Sequence, residues 1–454
     1  MTEFNQNKAT EFQISLNDLR SYFSQFAKPK EKHRYGAECE IFGLWKTTGQ
    51  PIPYFGRQGI EGVLDELVQQ FQWKKREENK HIIALERGKD LVTLEPGGQV
   101  ELSASPVKTL REVDEQIKSF HRELKTVGEK LGIVWLSIGA QPFARAGEMP
   151  WVPKARYEIM RRYLATHGAR SHDMMQRTAT NQFNVDFESE PHALEIMRLT
   201  FRIMPFIVTA FANSPLFEGR VTGYQSFRNH IWQGTDPDRS GLIENFAAGG
   251  GSFEEYLDYA LGVPMFFIIR QREWVPLDGI TFRKFLEKGF GPHRATLEDF
   301  NLHLTTIFPE CRLKDHLEIR GMDAQMPECI MAVFAFWKGL LENAETLRAG
   351  LDVVKHLTYF EIQELYRDLP HEGLSKKADV RSAGEISKQL FDIALFGLSS
   401  AGNAKSQKTD RAFLEPFYER FVRRFKTPAD EVLTNWNKTS SHDKWPTALA
   451  SFLI

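Results

Sequence analysis

The chain has 454 residues, of which 42% are hydrophobic and 26% charged, so it can bury more than one core and does not have the composition of a disordered polymer. Its 58 basic and 60 acidic residues leave a formal charge of −2, so no overall positive field holds it to a nucleic-acid backbone or an anionic membrane, and small molecules are the expected partners. The longest apolar runs, 263–269 and 330–337, fall well short of the roughly 20 residues that cross a bilayer.

The first residues, Met-Thr-Glu-Phe-Asn-Gln-Asn-Lys, show neither a charged start followed by an apolar core nor the arginines of a transit peptide, and a cytoplasmic location is expected. Cys39, Cys311 and Cys329 form no Cys-x-x-Cys arrangement, which fits a reducing compartment. Apolar spacing near 3.6 residues predicts helices over 16–26, 59–71, 109–131, 193–212 and 252–261, alternating with short strand-like runs. Beyond Pro327 only helical patterns remain, at 332–341, 359–367, 382–398 and 413–424. A last helix is announced by Thr427-Pro428-Ala429-Asp430, in which Thr caps the free amides, Pro suits the first helical position and Asp complements the dipole. The expected architecture is α+β, with residues 1–330 forming a sheet covered by helices and 331–454 a mainly helical part packed on it.

Four segments carry polar residues at strand spacing, where residues two apart share a face. In Tyr35–Phe42 this puts Glu38 and Glu40 side by side, and two neighbouring carboxylates repel unless one is protonated or a cation lies between them. Magnesium would satisfy both, although a solvated strand edge gives the same pattern. In Leu94–Ser103, Pro96, Gly97 and Gly98 form a tight turn that brings Glu95 and Glu101 toward one cavity or, equally, toward solvent on a surface hairpin. Arg177–Phe187 lines Thr178, Thr180, Gln182, Asn184 and Asp186 along one face, suiting either the floor of a cleft or a half-exposed strand. In His303–Gly321, Glu318 and Arg320 share a face, where they would hold a metal and a phosphate together or simply neutralise each other.

Between the third and fourth segments, Arg228 and Arg239 offer planar forks for a carboxylate or phosphate, and Trp232 offers a wall; a surface loop with a buried aromatic reads the same way. Gly249-Gly250-Gly251 lacks the Gly-Lys-Ser/Thr of a phosphate cradle and precedes a capping box at Ser252–Glu255, so it is read as the entry to a helix.

In this order the segments resemble the glutamate–cysteine ligases of the plant and proteobacterial type. Pro153–Arg161, Ala212–Gly219, Tyr256–Leu261 with Val263-Pro264-Met265, and Thr281-Phe282-Arg283 extend the match, which runs from about residue 33 to near the C-terminus. The resemblance implies a fold like the catalytic domain of glutamine synthetase, an antiparallel sheet curved into a funnel with ATP entering one end and glutamate the other. It implies that Glu38, Glu40, Glu95, Glu101 and Glu318 hold magnesium, together with Gln182, where related enzymes often carry histidine. Glu318 and Arg320 would act in catalysis, with Arg312, Lys314 and Arg320 toward ATP. Arg177, Thr180, Asn184, Arg228, Trp232 and Arg239 would face the substrates.

The implied reaction joins the side-chain carboxylate of L-glutamate to the amine of L-cysteine through a γ-glutamyl phosphate, in a monomer or homodimer acting on small molecules alone. Another ATP-dependent glutamate–amine ligase on the same fold, or a non-catalytic ATP- or glutamate-binding protein, would share these residues. Plant members are regulated through disulfides. Here Cys39 lies on the strand face opposite Glu38 and Glu40, so switching of that kind is not expected.

Overall fold

The computed structural model describes residues 14–400, 404–438 and 445–454. Its centre is a nine-stranded antiparallel sheet. The strands in chain order are β1 (Tyr35–Trp45), β2 (Lys74–Glu78), β3 (His81–Arg87), β4 (Asp90–Leu94), β5 (Val100–Ser103), β6 (Ile133–Leu136), β7 (Asn181–Val185), β8 (Cys311–Leu313) and β9 (Leu317–Ile319). Their spatial order is β8-β9-β7-β1-β5-β4-β3-β2, and β6 pairs with the far end of β1. The length of β1 makes it the axis: its first half pairs with β5 on one side and β7 on the other.

Helices close one face of the sheet. Leu110–Leu131 begins at a capping box between Thr109 and Glu112 and ends at Gly132, whose φ of 74° closes the last turn in the left-handed region. Its stripe of Leu110, Val113, Ile117, Phe120, Leu124 and Val127 is buried. Ile330–Leu341 is apolar apart from Lys338, which pairs with Asp410, and is buried along its whole length. It packs Phe334 on Phe183 of β7, with ring centroids 6.0 Å apart, and Trp337 donates to the Met322 sulfur at 3.4 Å. A single hydrophobic cluster therefore runs from Leu19 through the sheet to Phe452, and the C-terminal helices share it.

The expected helices are present with shifted ends. The one over 193–212 starts earlier, at Glu190, because Ser189 caps it and Pro191 suits its first turn. The first becomes a short helix, Leu16–Arg20, followed by a 3-10 turn. The expected strand over 177–187 shrinks to Asn181–Val185, because Arg177 ends the helix Ser171–Arg177. Among the described residues no helix is long and apolar enough to cross a membrane.

Candidate active site

Antiparallel register lays the polar side chains of five strands into one band. Glu40 on β1 stands opposite Glu101 on β5, Glu38 opposite Gln182 on β7, Asn184 opposite Glu318 on β9, and Glu318 opposite Arg312 on β8. The alternate residues Ala37, Cys39 and Ile41 are buried in the core on the other face. Glu95 joins the band from the turn after β4. A Cβ on Gly97 would lie 2.2 Å from the Gln176 carbonyl oxygen, and Gly98 has φ +82°, so glycine lets this turn press against the helix before β7. The Gln99 amide fastens it there by donating to the Thr178 carbonyl at 2.8 Å.

The centre of the band holds carboxylates without cations. Asn184 donates to Glu38 at 2.8 Å, the Thr180 amide to Glu40 at 3.1 Å, and the Thr93 hydroxyl to Glu101 at 2.9 Å, with Ser103 donating to Glu101 as well. All of these donors are neutral. Burial first, and then the neighbouring carboxylates, push Glu38, Glu40 and Glu101 above the usual range: Glu318 and Glu101 act on Glu38, and Glu95 acts on Glu40 and Glu101. Two further oxygens, Gln182 Oε1 and Asn184 Oδ1, are buried with no hydrogen-bond partner. As they stand, no three His, Cys, Asp or Glu among the described residues form a metal cage. The fit to a hard divalent cation is therefore one of chemistry: carboxylate and amide oxygens short of positive charge.

At the other end of the band the charge balance reverses. Glu318 is 0% exposed, and its two oxygens meet Arg312 at 2.7 Å, Lys314 at 2.7 Å and Arg320 at 2.8 Å. Burial opposes ionisation of Glu318, but Arg312, Lys314 and Arg320 outweigh it and hold the carboxyl well below the usual range. Its oxygens are thus already committed, and Glu318 anchors the cations instead of standing free as a metal ligand. Arg312 is buried and also donates to the Thr305 and Ile307 carbonyls, whereas Lys314 and Arg320 are half-buried and open to the cleft. The Arg320 guanidinium lies 5.5 Å from the Trp232 ring and 5.3 Å from Phe308. Arg228 backs this end, donating to the Gly321 carbonyl at 2.7 Å and the Arg320 carbonyl at 3.1 Å while its guanidinium lies 5.6 Å from Trp232.

Three expected substrate contacts are placed differently. Arg239 is 0% exposed, pairs with Asp236 at 2.6 Å, donates to the Thr306 and Pro264 carbonyls and stacks 3.9 Å from Phe266; it clamps the fold and presents nothing to a ligand. Arg177, at the end of a helix and off the strand, is held by Asp173, by Glu218 at 2.8 Å and by the Ala144 carbonyl. The Thr180 hydroxyl donates to the Met322 and Arg320 carbonyls, so its task is to brace β7 against the Arg320 turn.

Other residues enter that composition and spacing did not single out. Lys154 immediately precedes the helix Ala155–Leu164 and donates to the Leu94 carbonyl at 2.9 Å, one residue from Glu95. Burial, reinforced by Arg156 and opposed by Glu95, brings its ammonium down to about 8. The only signal was its place in the Pro153–Arg161 run. Glu310 is buried against Gly321 and accepts from the Tyr366 hydroxyl of a C-terminal helix. Asp323 accepts from the Asn213 amide and the Ser214 hydroxyl at 2.7 Å each and from Ser226 at 2.8 Å, tying the Arg228 loop to the strand end.

Residues 34–439 match the family model described as glutamate–cysteine ligase family 2. The chain is 39% identical over 393 residues to glutamate–cysteine ligase B, chloroplastic, of Oryza sativa subsp. japonica, covering 86% of this chain and 78% of that one. It is 38% identical over 427 residues to the chloroplastic glutamate–cysteine ligase of Arabidopsis thaliana, covering 93% and 80%. A crystal structure of glutamate–cysteine ligase from Francisella tularensis in complex with AMP superposes with a TM-score of 0.56 at 12% identity, covering 92% of this chain and 87% of that one, which supports the fold. The chloroplastic relatives overturn the expected cytoplasmic location. That expectation rested on the first eight residues of the chain, which lie outside the described residues.

Proposed function

The chain belongs to glutamate–cysteine ligase family 2, and from that premise we infer that the band joins the side-chain carboxylate of L-glutamate to the amine of L-cysteine at the expense of ATP, the first step of glutathione synthesis. A carboxylate does not acylate an amine at neutral pH because its oxygen is a poor leaving group. Attack of the glutamate γ-carboxylate oxygen on the terminal phosphorus of ATP forms a P–O bond to the acyl oxygen and breaks the bridging bond to ADP. The lone pair of the neutral cysteine amine then attacks the acyl carbon. The C–N bond forms, the C–O bond breaks, and phosphate leaves with that electron pair while the amine proton passes to the medium.

The observation that carries this reading is the opposed charge of the band's centre, at β1 and β5, and of its end at β8 and β9. Arg320 and Lys314, held in place by Glu318, suit the transferring phosphoryl group, and the planar fork of Arg320 can grip two of its oxygens. Arg228 keeps the main chain behind Arg320 from moving, and Trp232 walls the same end. Glu38, Glu40, Glu95 and Glu101, with Gln182 and Asn184, are the residues that would hold magnesium. Magnesium bound there would neutralise the triphosphate and orient its terminal group.

A glutamate-like sulfoximine tests the acyl-phosphate route, because its tetrahedral sulfur mimics the adduct of amine and acyl phosphate and its nitrogen can take the phosphoryl group. Enzyme incubated with sulfoximine and diluted into substrate is expected to recover slowly only when ATP was present. Rapid recovery with and without ATP would refute the route.

A further inference from the structure

Beside the cationic end of the band, Glu310 and Tyr366 form a buried hydrogen-bonded pair to which the reaction gives no task. The pairing of β8 with β9 continues one step past the strands, where the Arg320 amide donates to the Glu310 carbonyl at 3.2 Å. One oxygen of the Glu310 side chain accepts from the Tyr366 hydroxyl. The other is buried without a hydrogen-bond partner against Gly321, where a Cβ would overlap it, so only glycine lets the main chain lie this close. The carbonyls of Arg320 and Gly321 are fastened as well: Arg228 donates to both, at 3.1 Å and 2.7 Å, and the Thr180 hydroxyl donates to the first at 3.1 Å.

Tyr366 belongs to the C-terminal helix Tyr359–Glu372, and the sequence of that helix explains how the tyrosine is held. Pro370 stands four residues further on and has no N–H to donate to the Tyr366 carbonyl. The Gln233 side chain donates to that carbonyl instead, at 2.7 Å, and the Pro370 carbonyl accepts from the Gln225 and Ser226 amides at 2.7 Å and 3.2 Å. Gln233 closes the helix Phe227–Gln233, which carries Arg228 and Trp232. Tyr366 is thus pinned at its main chain to the Arg228 helix and at its hydroxyl to the segment under Arg320. A hydroxyl donating to a buried carboxylate makes a charge-assisted bond, roughly twice as strong as a neutral one, and so holds both groups in one geometry.

We propose that Tyr366 and Glu310 are positioning residues for Arg320, through which the C-terminal helix Tyr359–Glu372 sets the place of the Arg320–Gly321 main chain and so the aim of the guanidinium at the transferring phosphoryl group. Arg320 stabilises the moving charge, and Tyr366 acts through it. The stabilisation depends on where the fork stands when the charge develops, so a small displacement of its main chain costs rate more than binding. The Glu310 carboxyl also feels the charges of Arg228 and Arg320, which ties it to this end of the band in electrostatics as in packing.

The inference rests on the ligase reading, and a kinetic comparison in two backgrounds separates them. Tyr366→Phe removes the hydroxyl and keeps the ring; kcat is expected to fall about tenfold, the weight of one hydrogen bond to a charged group, while KM for glutamate, ATP and cysteine stays within about twofold. Placed in Arg320→Lys, the same change should cost less than about twofold, because the fork that Tyr366 positions is already gone. Thermal melting checks that each variant is folded, and Gln233→Leu, which frees the Tyr366 main chain from the Arg228 helix, serves if the Phe variant is not. An unchanged kcat, or a loss carried by KM alone, overturns the positioning role. So does a full tenfold loss repeated in the Arg320→Lys background, since a merely structural contact weakens both backgrounds alike. Absence of ATP- and glutamate-dependent phosphate release from the wild type with cysteine overturns the ligase reading itself.

Discussion

Glu40 and Glu318 sit two strands apart on one sheet face, both buried, yet they reach opposite states. Glu318 meets three cations and stays ionised however low the surrounding polarity. Glu40 meets only the Thr180 amide and the Gln182 side chain, and two carboxylates press on it from the same face. Burial raises the cost of charge at both positions; the neighbours decide the outcome. A finished ion-pair cluster at one end and an unfinished one at the centre are what phosphoryl transfer asks of a protein: fixed positive charge for the moving group, and a place for cations that arrive with the nucleotide.

The sharpest way to break this contrast is at its cationic end. Arg320→Lys keeps the charge but replaces a planar fork with a point donor, and turnover is expected to fall about 10³-fold with a smaller change in the KM for glutamate. Loss of glutamate affinity alone would move Arg320 into the substrate pocket. Next in size is Glu318→Gln, which leaves Arg312, Lys314 and Arg320 crowded together without their anion. Denaturant unfolding should report a loss of about 3 kcal/mol. An unchanged midpoint would mean that solvent already screens the three cations.

The centre should answer with the opposite sign. Glu40→Gln removes a carboxylate that its neighbours repel, so the metal-free protein is expected to gain about 1 kcal/mol of stability while losing nearly all activity. The same measurement made with magnesium should show a smaller stabilisation of the variant than of the wild type. A Glu40→Gln protein that unfolds more easily without metal would show that the repulsion does not reach the folding equilibrium.

Much of the band was legible because strand alternation is local. Glu38 with Glu40, and Glu318 with Arg320, lie two residues apart, so the pleat alone puts each pair on one face. Glu95 and Glu101 needed only the turn that Pro96, Gly97 and Gly98 announce. The misplacements are all non-local. An arginine reads the same in sequence whether it faces a ligand or a buried aspartate, and Arg239 with Asp236 and Arg177 with Asp173 and Glu218 show the second case. Lys154 was passed over because its place beside Leu94 and Glu95 comes from packing across 60 residues of chain, which spacing does not show.

The smallest expected effect is on how acid alters the benefit of magnesium. In the metal-free protein, Glu38, Glu40 and Glu101 are raised above the unfolded value of about 4.3. The folded chain therefore binds more protons than the unfolded one, and stability from this cluster is full below that value and lost as pH climbs through the raised values. Glu318 is lowered, so its contribution is present above about 4.3 and disappears only as pH falls further. Of these two clusters, the centre is the one that takes up protons before pH falls to about 4.3. Magnesium competes with those protons for the same oxygens. The rise in melting temperature produced by magnesium should accordingly shrink from pH 7 to pH 5 in the wild type and depend less on pH in Glu40→Gln. Melting curves at pH 7, 6 and 5, with chelator or with magnesium, give both comparisons. A magnesium increment that stays constant or grows on acidification would place the cation away from Glu38, Glu40 and Glu101.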